Sequence, residues 1–200
     1  MIINTVFIFR IIHAIFALVT LFFVLKFLTP IEQGWYYTFL SLSSLIYFFD
    51  YGLSSALIHI SAIESVNLKW GKFGEIFGNN KSKFLNLLKQ SLKYYIYLAI
   101  TFFIVVYFLG IIYFNFSSEN SSSYINWSIP WLILILVSSL SLLTMPFLAI
   151  LEGAGKINEI YKLRIIQILM GSILAWILIY LNFPLYAASM ILLSTFIVTF

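Results

Sequence analysis

Residues 28–60 read LTPIEQGWYYTFLSLSSLIYFFDYGLSSALIHI. The stretch opens on a turn, Leu28-Thr29-Pro30, and continues as an apolar run longer than the roughly 20 residues a transmembrane helix needs. Inside that run sits one carboxylate, Asp50, with Gly52 two residues on. A charge at such depth is costly in hydrocarbon, so it marks a functional site by default. The remaining sequence bears on which groups face it.

The rest of the chain shares this apolar character. Of its 200 residues, 62% are hydrophobic and 9% are charged, against roughly 25% charged in a soluble domain. The fold class that follows is all-α, a polytopic integral membrane protein forming one six-helix transmembrane bundle. There is no cysteine, which removes disulfides and thiolate chemistry. The net charge of +4 arises mainly from two basic loops, a placement that topology explains and nucleic-acid binding does not.

Six apolar runs set the expected spans: Asn4–Leu28, Trp35–Ile60, Tyr94–Phe116, Ile129–Leu151, Leu163–Leu181 and Pro184 to Phe200. The last is shorter than the roughly 20 residues of a span, so the chain reads as a lobe truncated within its sixth helix. Lys69, Lys72, Lys81, Lys83, Lys89 and Lys93 follow the second run, and Lys156, Lys162 and Arg164 follow the fourth. The positive-inside rule then places the N-terminus and both basic loops in the cytoplasm. In the segment 61–93, Ile63, Val66, Trp70, Phe73 and Phe77 recur in steps of three and four. That spacing predicts a short amphipathic helix lying on membrane lipid; a basic loop held near anionic lipid is the plainer alternative. Ser128 is expected to cap the fourth helix with Pro130 in its first turn. Trp127 and Trp131 suit the interfacial belt, and Pro146 should kink the helix.

Polar residues recur on single helix faces. Helix one carries Arg10, His13, Ala17 and Thr20; helix two carries Ser43, Tyr47, Asp50 and Ser54; helix five carries Arg164, Gln167, Gly171 and Ala175. Ser138, Ser141 and Thr144 add a fourth stripe. Such stripes turn away from lipid, toward other helices or a water-filled cavity. Counting about 1.5 Å per residue puts Asp50 about 14 Å and His13 about 12 Å from the cytoplasmic ends of their antiparallel helices. Asp50 is therefore expected to face His13 or Arg10 across the first two helices. Its functional reading is the floor of a polar cavity, or a proton- or cation-coupling site. The structural reading is an ion pair fixing helix register, with Arg10 snorkelling to the interface.

No catalytic constellation appears: no metal-spaced histidine pair, no phosphate-binding glycine loop, no Ser-His-Asp set. Neither an enzyme activity nor a cofactor or metal is expected. Glu152-Gly153-Ala154-Gly155-Lys156 reads as a tight cytoplasmic turn. Glu32 and Glu119 are the outer-loop carboxylates that a membrane glycosyltransferase could use.

The run from Phe27 to His59 resembles the start of bacterial polysaccharide flippases of the O-antigen type, in the multidrug/oligosaccharidyl-lipid/polysaccharide exporter superfamily. The turn Leu28-Thr29-Pro30-Ile31-Glu32-Gln33-Gly34-Trp35-Tyr36 and the motif Asp50-Tyr51-Gly52-Leu53 carry the resemblance. A later landmark, Pro146-Phe147-Leu148 leading to Glu152-Gly153-Ala154-Gly155-Lys156, is similar too. The resemblance implies a transporter that flips an undecaprenyl-diphosphate-linked oligosaccharide across the inner membrane, by rocking of two lobes around a midplane cavity. It implies a role for Arg10 toward the diphosphate and for Arg164 as a weaker second cation; with His13 and Asp50 of the polar stripes, these are the candidate substrate-binding residues. A polysaccharide polymerase and a missing C-terminal lobe are the implied partners. The rivals are a cation-coupled drug exporter of the same superfamily and a truncated fragment that does not transport.

Overall fold

The computed structural model describes residues 2–66, 68–71, 75–78, 80–119 and 126–200. Its elements run α1 (Ile2–Phe27), α2 (Pro30–Ser43), α3 (Leu45–Asp50), α4 (Leu53–Ser65), β1 (Lys69–Trp70), β2 (Ile76–Phe77), α5 (Lys81–Glu119), α6 (Ser128–Leu142), α7 (Thr144–Gly153), α8 (Ile157–Tyr180) and α9 (Pro184–Thr199). Among the described residues, four helical stretches are long and apolar enough to cross a membrane: Thr5–Phe27, Lys81–Phe116, Ser128–Gly153 and Ile157–Tyr180. A fifth is reached if Pro30–Asp50 and Leu53–Ser65, bent by 43°, count as one broken span. The sixth expected span, α9, has 16 residues, short of the roughly 20 a crossing takes.

The Leu28-Thr29-Pro30 turn is built by a capping box. The Thr29 N–H donates to the Glu32 carboxylate at 2.9 Å, the Glu32 N–H donates back to Thr29 Oγ1 at 3.4 Å, and Pro30 takes the first helical position. Both exchanges satisfy amides that the helix start leaves unpaired. Glu32, an outer-loop acid in the glycosyltransferase reading, is thus engaged in holding the helix start.

The second expected helix is not continuous. It breaks at Tyr51 (φ 44°) and Gly52 (φ 80°), both left-handed. Two successive left-handed residues end one helix and start another, and glycine enters that region without steric cost. Between α6 and α7 the ladder is interrupted at Leu143, one turn before Pro146. Pro146 has no N–H to offer the Leu142 carbonyl and its ring crowds that turn.

The basic segment departs from the amphipathic helix expected there. β1 and β2 pair antiparallel, Lys69 opposite Phe77 and Trp70 opposite Ile76, and the Gly71 N–H donates to the Glu75 carbonyl at 2.8 Å. Phe73, part of the expected apolar face, lies outside the described residues. Gly71 weakens any helix here, while the hairpin carries Trp70 against Phe84 at 6.1 Å and under the Lys156 ammonium at 5.0 Å. From Lys81 the chain is helical again, and α5 runs 39 residues. At about 1.5 Å per residue that is about twice the roughly 30 Å hydrocarbon core, so the helix carries Lys81, Lys83, Lys89 and Lys93 beyond its apolar part.

Packing centres on aromatic rings. Phe114 of α5 meets Trp35 and Phe39 of α2 at 5.1 and 5.3 Å, and Trp127 and Trp131 at 5.2 and 5.0 Å. Trp131 is fully buried and its indole N–H donates to the Tyr107 carbonyl at 3.4 Å. It is therefore a core residue, packed among rings rather than facing outward. Ser128 does not cap α6; its hydroxyl turns to the Asn126 side chain at 3.2 Å. α1 is held along α8 by Trp176, which stacks between Phe16 and Phe23 and donates to Thr20 Oγ1 at 2.9 Å.

Candidate functional site

The polar stripes meet in a cavity of about 410 Å³. α1 contributes His13; the broken second span contributes Tyr47, Asp50 and Ser54; α6 and α7 contribute Ser141, Thr144 and Glu152; α8 contributes Arg164 and Gln167. Asp50, Ser141, Thr144 and Gln167 are buried and Ser54, Glu152 and Arg164 half-buried, whereas His13 and Tyr47 are exposed at the cavity's open side.

The break in the second span organises Asp50. Starting a new helix at Leu53 leaves free N–H groups at its first turn. The Asp50 carboxylate lies against that turn, accepting from the Ser54 hydroxyl at 2.9 Å and the Ser54 N–H at 3.4 Å. A carboxylate is favoured at the positive end of a helix. Across the bundle, the Tyr95 hydroxyl of α5 donates to the same carboxylate at 2.5 Å. Asp50 is buried and well supplied with donors, as a buried charge must be.

The expected partners of Asp50 are placed differently. His13 lines the same cavity from α1, but the donors to the carboxylate are Tyr95 and Ser54. Arg10, one turn earlier on α1, is exposed and does not line the cavity. Arg164 does line it, and its guanidinium bonds the Glu152 carboxylate at 3.1 Å. It also lies over the Tyr161 ring at 5.1 Å. Three of the four proposed site residues thus share one cavity, and Arg10 stands outside it.

Sequence reasoning missed Tyr95 and Glu152. No local signal leads to Tyr95, because 45 residues separate it from Asp50. Glu152 lies at the end of α7 while Arg164 lies two turns into α8, so their pairing is set by how the two helices pack and not by the turn between them. The Glu152-Gly153-Ala154-Gly155-Lys156 run is then more than a turn. Its glutamate reaches the cavity, and its Gly153 packs against the Ile58 carbonyl and Ser61 of α4 so closely that a Cβ would overlap them.

Chemically, the cavity offers hydroxyls, an amide, an imidazole, two carboxyl groups and a guanidinium. Among the described residues no group of three His, Cys, Asp or Glu side chains is placed to hold a metal ion. In the lining, the two carboxyl groups of Asp50 and Glu152 stand against the one guanidinium of Arg164. No family model, no curated protein and no solved structure matches the chain.

Proposed function

We propose that the chain moves an amphiphilic cargo, a lipid-linked oligosaccharide, across the bacterial inner membrane, with its N-terminus and basic loops in the cytoplasm. The observation carrying this reading is the convergence of His13, Asp50, Glu152, Arg164 and Gln167 on one cavity within apolar helices. Maintaining so many polar groups at membrane depth is costly, and a polyhydroxylated headgroup is a ligand that uses hydroxyl, amide and paired-charge contacts together. No bond in the cargo is made or broken, so this is transport and not enzymatic catalysis. The Glu152 carboxylate neutralises Arg164, which therefore contacts a cargo phosphate only by exchanging partners.

The lining's two carboxyl groups against one guanidinium favour a second reading, a cation-coupled drug exporter. One experiment separates the two. The chain is reconstituted in proteoliposomes with a fluorescent undecaprenyl-diphosphate oligosaccharide, and arrival at the far leaflet is followed with an impermeant quencher. Faster arrival than in protein-free liposomes is expected, falling about tenfold in Arg164→Ala, a rise of about 1.4 kcal/mol in the barrier. No acceleration, together with gradient-driven movement of a lipophilic cation, would select the exporter.

A further inference from the structure

A second depression joins the polar cavity, and its chemistry is different. α1 and α2 are linked by only Leu28 and Thr29, and consecutive elements usually pack together. Here they do not: α1 lies along α8, α2 lies against α9 and α6, and α1 and α2 barely touch beyond their turn. The helices splay into a V, floored by Ile168 and Ser172 of α8 and Ile191 of α9. The gap is an apolar groove of about 300 Å³, walled by Ala17, Leu21 and Val24 on one side and Tyr37 and Leu40 on the other. His13, Ile168 and Ile191 line both this groove and the polar cavity, so the two form one continuous depression.

The order of polarity along it identifies an occupant. The polar cavity lies toward the end of the bundle with the basic hairpin and the start of α8; the apolar groove runs from His13 toward the Thr29 turn. A lipid in the leaflet on the basic side presents its groups in that order, headgroup first and chain toward the bilayer centre. The groove is a single slot joined to the cavity at one place, which suits an amphiphile with one chain better than a two-chain phospholipid. We propose that the groove between α1 and α2 holds the headward end of the single isoprenoid chain of the cargo while its head occupies the polar cavity; the identity of the occupant rests on the transport reading above.

Site-specific photo-crosslinking tests this in nanodiscs of phosphatidylethanolamine and phosphatidylglycerol, with radiolabelled undecaprenyl diphosphate as probe. A photoreactive residue at Leu21, in the groove, should capture the probe several-fold more than one at Ile15. Ile15 is exposed on the opposite face of α1. Ala17→Trp, at an exposed position that fills the groove, should reduce capture at Leu21 several-fold with thermal unfolding unchanged. Equal capture at Leu21 and Ile15, capture of phospholipid in place of the probe, or an Ala17→Trp variant that captures normally would each overturn the proposal. Capture needs no translocation. A chain that translocates cargo without selective capture overturns the groove alone, whereas one that captures the probe but moves nothing overturns the transport reading and leaves the groove standing.

Discussion

The Tyr95 hydroxyl and the Asp50 carboxylate meet at 2.5 Å, tying α5 to the point where the second apolar span breaks. Both residues are buried, so neither can replace the other with bulk water. Tyr95→Phe should lower stability by about 1.5–3 kcal/mol, the range for losing a hydrogen bond to a charged group. Asp50→Ala should cost more, because it also strips Ser54 of its acceptor, and Asp50→Asn less, because one acceptor oxygen remains. Thermal unfolding in detergent measures this, and a double-mutant cycle of Tyr95→Phe with Asp50→Asn should show coupling of about 0.5–3 kcal/mol. Strict additivity would mean the two groups do not interact.

The break itself makes an asymmetric prediction at adjacent residues. Gly52 has φ 80° with open space around its Cβ position, and Tyr51 has φ 44° and is exposed. Gly52→Ala should destabilise by about 1 kcal/mol from backbone strain alone. Tyr51→Gly should hold or raise stability, since relief of left-handed strain offsets the added chain entropy. Equal losses at both positions would show that the break is not in this geometry.

Gly110, Gly153 and Gly171 each set a helix separation, and the first two should respond differently to rescue. A Cβ at Gly110 would overlap the Trp131 ring, and one at Gly153 would overlap both the Ser61 hydroxyl and the Ile58 carbonyl. Gly110→Ala and Gly153→Ala should each cost about 1–3 kcal/mol by overpacking. Trp131→Leu should recover part of the first loss. Ser61→Gly should recover little of the second, because a backbone carbonyl cannot be trimmed away.

Arg164 and Glu152 are partly exposed, at 31% and 23% of their side chains, so their pairing contributes modestly, about 1 kcal/mol or less. Removing either charge alone should cost about that much, and the double variant Arg164→Gln/Glu152→Gln should regain most of it. Cargo movement should separate the singles. Glu152→Gln frees a cation in the cavity and should strengthen binding of undecaprenyl diphosphate, whereas Arg164→Gln should weaken it. Shifts in the same direction would show that the pair acts only on the fold.

Much of the architecture is written locally. The apolar runs, the turn at Leu28-Thr29-Pro30, the interruption near Pro146 and the polar stripes all follow from hydropathy, spacing and the chemistry of proline. These are short-range properties, set by the cost of burying a polar group or losing a backbone bond within a few residues. The stripes of helices one, two and five each send at least one residue to the same cavity, His13, Asp50 and Arg164 among them, while Ala17 and Thr20 line the apolar groove and Arg10 lies outside. Tertiary structure decided the rest. It broke the second span at Tyr51-Gly52, gave Asp50 to Tyr95 and Ser54 rather than to His13 or Arg10, neutralised Arg164 with Glu152, folded the basic segment into a hairpin, and sank Trp131 into the core. Each of these depends on which helix face meets which. A partner 45 residues away leaves no trace in local periodicity, because packing, not spacing, selects it.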